Sequence, residues 1–234
     1  MSTSPPLQAL FWSAATICFY SLARFTHQRL SQWWTTPVLL APVCLLALAL
    51  LMHEQYRDYI SGTHWLVLML GPATVAFASP IYQQRATIRR NWQVLISGAV
   101  VGSSVAIMTS WTLAGALDIP ESLKLSLVPR SMSTPFAMAV SSDIGGVPEL
   151  TAMFVILTGL VGATIGQGLL RWLPLRSGSA RGALFGMGAH GIGAATARQI
   201  GNEEGSTAGL VMILAGVLNV LAAPLLAYVL HQIT

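Results

Sequence analysis

Eight long apolar runs, separated by short polar joints, dominate the sequence. They cover residues 7–23, 36–52, 64–82, 92–117, 123–140, 150–172, 183–200 and 206–230. Each run is longer than a typical strand and lacks strict alternation of apolar and polar residues, so the pattern indicates helices. Since a spanning helix needs about 20 apolar residues, we predict an all-α, polytopic membrane protein with about six to eight membrane segments.

The composition excludes an ordinary soluble domain. Apolar residues make up 54% of the 234-residue chain and charged residues only 9%, whereas soluble domains carry about 25% charge. The short joints leave no room for a sizeable extramembrane domain, so we predict a single membrane domain over residues 1–234. The net charge of +4 does not indicate nucleic-acid binding, because Lys124 is the only lysine and the arginines stand between apolar runs.

The arginines also predict orientation, because cytoplasmic loops of membrane proteins are enriched in basic residues. Basic loops follow the first, third and sixth runs, with Arg24 and Arg29, then Arg85, Arg89 and Arg90, then Arg171, Arg176 and Arg181. All three loops fall on the same side only if the run at 123–140 enters the membrane and returns. We therefore expect a re-entrant or broken segment there.

Helix-start signals interrupt three of the apolar runs. They are Gly71-Pro72 with Thr74 behind it, Ser133-Thr134-Pro135, and the segment around His190 with Gly191 and Gly193. Thr before Pro is a good N-cap followed by a good first helical residue. A helix N-terminus at membrane depth offers free amides to an anion, a device that recurs in transporters. The alternative for each site is a proline kink or close glycine packing.

A faint internal repeat accompanies these interruptions. Four pairs of identical residues share one spacing along the chain: Thr74 with Thr134, Ile96 with Ile156, Val101 with Val161, and Gly102 with Gly162. Both stretches run from an interruption through a polar joint into a long glycine-containing helix. Such repeats generate paired broken helices around one central site.

Arg130 is the main candidate for substrate binding. An arginine inside an apolar segment is costly and by default suggests a functional site. Its guanidinium can hold a carboxylate through two parallel hydrogen bonds. The alternative is that Arg130 extends to the membrane interface or pairs with Asp143 or Glu149.

The other polar candidates are one histidine and three hydroxyl residues. His190 could bind substrate or carry a proton, since its charge changes near neutral pH, or it could be a packing histidine. Ser133, Thr134 and Thr74 could bond a substrate, although such hydroxyls more often bond a helix carbonyl. Nothing in the sequence suggests a metal site, a cofactor motif or an enzyme active site.

Three motifs resemble the CidB/LrgB family of membrane proteins. They are Leu70-Gly71-Pro72-Ala73-Thr74-Val75-Ala76, then Pro129-Arg130-Ser131-Met132-Ser133-Thr134-Pro135 with Gly145-Gly146-Val147-Pro148-Glu149 further on, then His190-Gly191-Ile192-Gly193 through Glu203-Glu204-Gly205. The likeness covers almost the whole chain. The family's third motif usually places an arginine where Thr196 stands, whereas this chain has Arg198.

The resemblance implies two different functions in the bacterial inner membrane. One is transport of small monocarboxylates of the glycolate, glycerate, lactate or pyruvate class, as described for a chloroplast relative and some bacterial members. The other is holin/antiholin-like regulation of murein hydrolase export and autolysis beside a small CidA/LrgA-type membrane partner. The residues favour the first, with Arg130, Ser133, Thr134, Thr74 and His190 as the binding set. A homo-oligomer is compatible with both.

Overall fold

The computed structural model describes residues 5–30 and 35–233, and every regular element in those ranges is helical. Four stretches are long and apolar enough to cross a membrane: Tyr56–Gln83, Arg85–Ala116, Pro148–Leu169 and Asn202–Leu230. The shorter helix Pro37–Met52 is also apolar. The predicted all-α membrane architecture is confirmed. The contacts of the chain divide it into two compact units, Met1–Pro72 and Ala73–Thr234.

The first unit is built around helix α1 (Pro5–Leu30), which packs against α2 (Pro37–Met52) and α3 (Tyr56–Leu68). Trp12 is its buried centre, with its ring edge-on to Tyr59. Gly62 allows α3 to approach α1 closely, because a Cβ there would lie 2.8 Å from the Ala9 Cα. Ser13 joins the same two helices by donating to the Gly62 carbonyl at 2.8 Å.

The predicted interruption at Gly71-Pro72 lies at the start of a short helix, α4 (Leu70–Ala76). The chain stays near helical conformation at Met69, between α3 and α4, and at Phe77, between α4 and α5 (Ala78–Gln83). Pro72 falls in the first turn of α4, where its missing N–H removes no helical hydrogen bond. The helix start predicted at Gly71-Pro72 thus falls one residue earlier, at Leu70, and Thr74 lies inside this short helix.

Three long helices frame the second unit. They are α6 (Arg85–Ala116), α9 (Pro148–Leu169) and α11 (Asn202–Ile233). Between them stand two segments that are interrupted near their middles. The first comprises α7 (Glu121–Leu127), the 3-10 helix Val128–Ser131 and α8 (Thr134–Asp143), and the second is α10 (Gly178–Ile200).

The first interrupted segment is a helical hairpin, here called hairpin 1 (residues 121–143). Met132 and Ser133 are extended, and α8 begins at Thr134. The arms run back beside each other, since the Thr151 hydroxyl lies 2.9 Å from the Ser126 carbonyl and 2.7 Å from the Ser141 hydroxyl. Neither arm is long enough to cross about 30 Å of hydrocarbon. The expectation of a re-entrant segment at 123–140 is confirmed.

The second interrupted segment, α10, is also a hairpin, here called hairpin 2 (residues 178–200). His190 has φ 47° and ψ −123°, which reverses the chain between two helical arms. Phe185 and Ala197 share one apolar cluster, although a straight helix would hold them about 18 Å apart. Gly193 meets the Phe185 carbonyl so closely that a Cβ there would overlap it. The break predicted at Gly191 and Gly193 therefore falls on His190 itself.

Helix α11 shows that the hairpins come from opposite ends of the unit. Ala208, near its start, packs with Phe185 of hairpin 2. Ala223, two-thirds along it, packs with Leu125 and Phe136 of hairpin 1. A helix that crosses the membrane thus holds one hairpin on each half, so the two tips point toward each other.

Candidate functional site

Helix α9 gives the depth at which the hairpin tips meet. Its first half holds hairpin 1, since Val155 belongs to the same apolar cluster as Phe136. Its second half holds hairpin 2, since a Cβ on Gly166 would lie 2.8 Å from the Phe185 ring. Thr158 lies between these contacts, about 15 Å from either end of α9. The tips therefore meet near the middle of a membrane-spanning helix.

Arg130 lies at the tip of hairpin 1 and points between the long helices. Its Nε donates to the Ser110 hydroxyl of α6 at 2.8 Å, and its Nη1 donates to the Thr158 hydroxyl of α9 at 3.4 Å. Two neutral hydroxyls hold the guanidinium in place but leave its charge uncompensated. The site is therefore electropositive at a depth where a lone charge is unfavourable.

No carboxylate neutralises Arg130 among the described residues. Asp143 and Glu149, the alternative partners, are both exposed and form no ion pair with it. The salt bridge that the described part of the chain does contain joins Arg181 to Glu204 at 2.6 Å, at the base of hairpin 2. Arg130 therefore keeps a positive charge that is free to attract an anion.

Two further polar side chains are buried at the tips without hydrogen bonds. Ser133, which is 6% exposed, ends the turn of hairpin 1, and its hydroxyl has no partner among the described residues. His190 is 2% exposed, and neither ring nitrogen has a partner there. Its helix, α10, contacts the 3-10 helix Val128–Ser131 of hairpin 1. Buried polar groups are normally hydrogen-bonded, so these atoms are available to bond a ligand at the tips.

Two helix N-termini begin at these tips. Ser133 has the extended backbone of an N-cap, and Pro135 lies in the first turn of α8. The second arm of hairpin 2 begins after His190. Free amides and the positive ends of both helix dipoles thus lie near the Arg130 guanidinium. The structure makes Ser133 the N-cap instead of Thr134, because the extended backbone stops one residue earlier.

A cavity of about 450 Å³ adjoins the tips. Arg130, Thr158, Gly162 and Gly188 line it near the tips, and the rest of its lining is apolar. The apolar residues are Leu127, Phe154, Leu157 and Val161. Ser133 and His190 lie near this cavity but are not among its lining residues. The cavity can hold a small molecule against the Arg130 guanidinium.

Glycines create the space for this meeting of helices. A Cβ on Gly102 of α6 would lie 2.8 Å from the Met187 side chain, and one on Gly162 of α9 would overlap the Gly188 carbonyl. These two glycines are a pair of the internal repeat, and both face the turn before His190. The glycine pair therefore lies on two helices, α6 and α9, that pack against hairpin 2.

The predicted binding residues are only partly brought together. Arg130, Ser133, Thr134 and His190 lie at the two tips. Thr74 is half-buried within α4, and its role in binding stays a prediction. Sequence analysis missed Ser110 and Thr158, which orient Arg130, because single hydroxyls in apolar helices are common. The sequence signal that could have indicated them is the repeat pair Gly102 and Gly162, since these glycines lie on α6 and α9, the helices that carry Ser110 and Thr158.

These features define an all-α membrane protein with two opposed helical hairpins and a central electropositive site. The chain belongs to the LrgB-like family, whose model matches residues 16–229.

Named relatives support the assignment over nearly the full chain. The uncharacterized protein YwbG of Bacillus subtilis is 40% identical over 90% of this chain and 94% of its own length. YxaC of Bacillus subtilis is 31% identical over 92% of this chain and 94% of its own. The holin-like protein CidB of Staphylococcus aureus is 28% identical over 94% of this chain and 96% of its own. No solved structure matches the chain.

Proposed function

We propose that this protein is a holin-like regulator of murein hydrolase export and autolysis in the bacterial inner membrane, with no catalytic activity of its own. The similarity to a protein named holin-like, over 94% of this chain, carries the proposal. Of the two hypotheses drawn from the sequence, this one is favoured by the comparisons. A separate small CidA/LrgA-type membrane partner belongs to the same proposal.

A leakage assay tests the holin-like function. The purified chain in sealed vesicles should release a trapped fluorescent dye without any requirement for a carboxylate. Vesicles containing the chain together with its partner would test whether the partner changes the leak. Complete retention of the dye under both conditions would contradict a pore-like action.

A second function, passage of small monocarboxylates, is favoured by the geometry. The observation that supports it is Arg130, which is held by two hydroxyls and has no carboxylate partner among the described residues. A substrate carboxylate would accept hydrogen bonds from the remaining guanidinium N–H groups, and the helix N-termini beside Ser133 and His190 would add positive potential. Two opposed hairpins around a mid-membrane site suit access from alternate sides.

Movement of a hairpin would couple binding to passage. Either tip covers the site from one end, so withdrawal of one tip would open a path from that side only. The unbonded Ser133 and His190 would gain partners from the substrate or from water in one of these states. His190 would also be available to carry a proton with the anion.

Arg130→Gln separates the two functions. Loss of charge-assisted hydrogen bonds should reduce labelled pyruvate or glycolate exchange into proteoliposomes by about tenfold or more. Dye leakage of a holin-like pore should be unchanged. Arg176→Gln is the matched control, since Arg176 is an exposed loop arginine outside the cavity. Equal carboxylate fluxes in wild type and Arg130→Gln would remove Arg130 from the mechanism.

A further inference from the structure

We propose that the cavity beside Arg130 binds an amphiphilic monoanion, with its anionic head at the guanidinium and a short apolar tail along Leu127 and α9. The inference rests on the proposed small-anion site and adds the chemical class of its ligand. The site should therefore bind apolar monocarboxylates more tightly than hydroxy acids or dicarboxylates.

The charge of the cavity sets the charge of the ligand. Arg130 is the one charged residue among those that line the cavity, and it is held by neutral hydroxyls. One carboxylate therefore balances the site. A second carboxylate would face Leu127, Phe154 and Leu157, and burial of an unpaired charge among apolar side chains is strongly unfavourable.

The polar side chains of the cavity lie together at the head position. Thr158, the other polar lining residue, already accepts a hydrogen bond from Arg130 Nη1 at 3.4 Å. The wall beyond them is formed by Phe154, Leu157 and Val161, which share one face of α9. A hydroxyl on the ligand tail would lose its water without gaining a partner there. An apolar tail of the same size would only gain contacts.

The outer wall of the cavity continues onto the surface of α9. Leu157 and Val161 are each 54% exposed, as is usual for residues that face lipid. The same chemistry, one carboxylate on an apolar tail, is present in water-soluble short-chain acids and in fatty acids of the membrane. Tail length distinguishes the two sources, because a cavity of about 450 Å³ limits a tail that must stay inside it.

The test is a binding series on the full chain in nanodiscs, measured by calorimetry. The probes are pyruvate, 2-oxobutyrate, 2-oxovalerate, 2-oxohexanoate and 2-oxooctanoate, with glycerate and 2-oxoglutarate as the polar comparisons. Each added methylene that is buried should tighten binding by about fourfold. A maximum at intermediate length indicates a water-soluble acid, and a rise through 2-oxooctanoate indicates a membrane fatty acid. Both outcomes support the amphiphilic site.

The series also distinguishes failure of this inference from failure of the small-anion site. If glycerate or 2-oxoglutarate binds as tightly as 2-oxovalerate, the apolar-tail proposal is overturned while the anion site stands. If no acid binds, or if Arg130→Gln binds all of them equally well, the anion site itself is overturned.

A pair of valine variants checks the tail position. Val161→Thr keeps the side-chain shape but places a hydroxyl on the apolar wall, so it should weaken 2-oxovalerate binding about three- to tenfold and leave pyruvate nearly unchanged. Val101→Thr is the control, since Val101 is the repeat counterpart of Val161 and is exposed on α6 outside the cavity. Equal effects of the two variants would contradict the assigned tail position.

Discussion

The two hairpins reverse the chain in chemically different ways. Hairpin 1 has two extended residues at its tip and a base tied by the hydroxyls of Ser126, Ser141 and Thr151. Hairpin 2 reverses at one residue, His190, and its arms touch where Gly193 meets the Phe185 backbone. The first is held by hydrogen bonds and the second by close backbone packing. We therefore expect hairpin 1 to be sensitive to the loss of a hydroxyl and hairpin 2 to the addition of a side chain at its glycine contacts.

The two proline-containing interruptions make a second, smaller contrast. Pro135 follows extended residues and begins a new helix, whereas Pro72 lies in the first turn of a helix that starts at Leu70. Proline fits the first turn in both cases. The reversal therefore occurs where extended backbone precedes the proline, at Met132 and Ser133.

The largest effect should come from filling the glycine contact of hairpin 2. In Gly162→Ala the new Cβ would overlap the Gly188 carbonyl, a backbone atom that cannot move alone. We expect the free energy of unfolding to fall by about 3 kcal/mol or more, or the chain not to fold, since overpacking typically costs about 1–3 kcal/mol and a backbone clash more. Thermal unfolding in detergent measures it, with Gly168→Ala as control because nothing lies near that Cβ position. A wild-type melting temperature for Gly162→Ala would contradict close packing at this contact.

A smaller effect should follow from loosening the base of hairpin 1. Thr151→Val removes a fully buried hydroxyl that joins Ser126 to Ser141. Leaving those groups unbonded should lower the free energy of unfolding by about 1–3 kcal/mol. Thr164→Val on the same helix is the control, since Thr164 bonds only the Leu160 carbonyl among the described residues. If both variants unfold alike, the hydroxyl cluster does not anchor hairpin 1.

The smallest effect should be the difference in stability between glycine and alanine at position 190. The test is which of the two variants is more stable. Inside an ordinary helix alanine is more stable than glycine by about 1 kcal/mol. At φ 47° and ψ −123° the order should reverse, because glycine adopts this positive-φ conformation at a lower cost than alanine. His190→Gly should therefore unfold at a higher temperature than His190→Ala. The pair Thr196→Gly and Thr196→Ala, in the second arm, should show the usual order.

Sequence reasoning predicted the features that depend on local chemistry. The apolar runs indicated helices, and the arginine loops required the segment at 123–140 to return, as hairpin 1 does. Serine and proline marked the tip of hairpin 1 to within one residue. These signals are visible because caps and prolines act on their immediate neighbours.

Features that depend on tertiary contact were not predicted. A break around His190 was predicted, but the full reversal of the chain there was not, because glycines permit a reversal without requiring one. Only contacts such as Phe185 with Ala197 show that the chain turns back. The same holds for Ser110 and Thr158, whose roles come from the position of Arg130. The helix that carries Thr74 begins four residues before it, at Leu70, so a role of Thr74 in binding stays a prediction.

The reversal at His190 also determines where the charges of hairpin 2 lie. Arg181 in its first turn and Arg198 in its last turn fall at the same end of the hairpin, beside the joint that carries Arg171 and Arg176. The start of α11 lies at the same end, where Glu204 pairs with Arg181 and Glu203 accepts hydrogen bonds from Ser179. Both ends of hairpin 2 are thus held at one place, so that any displacement of its tip must pivot about that charged base.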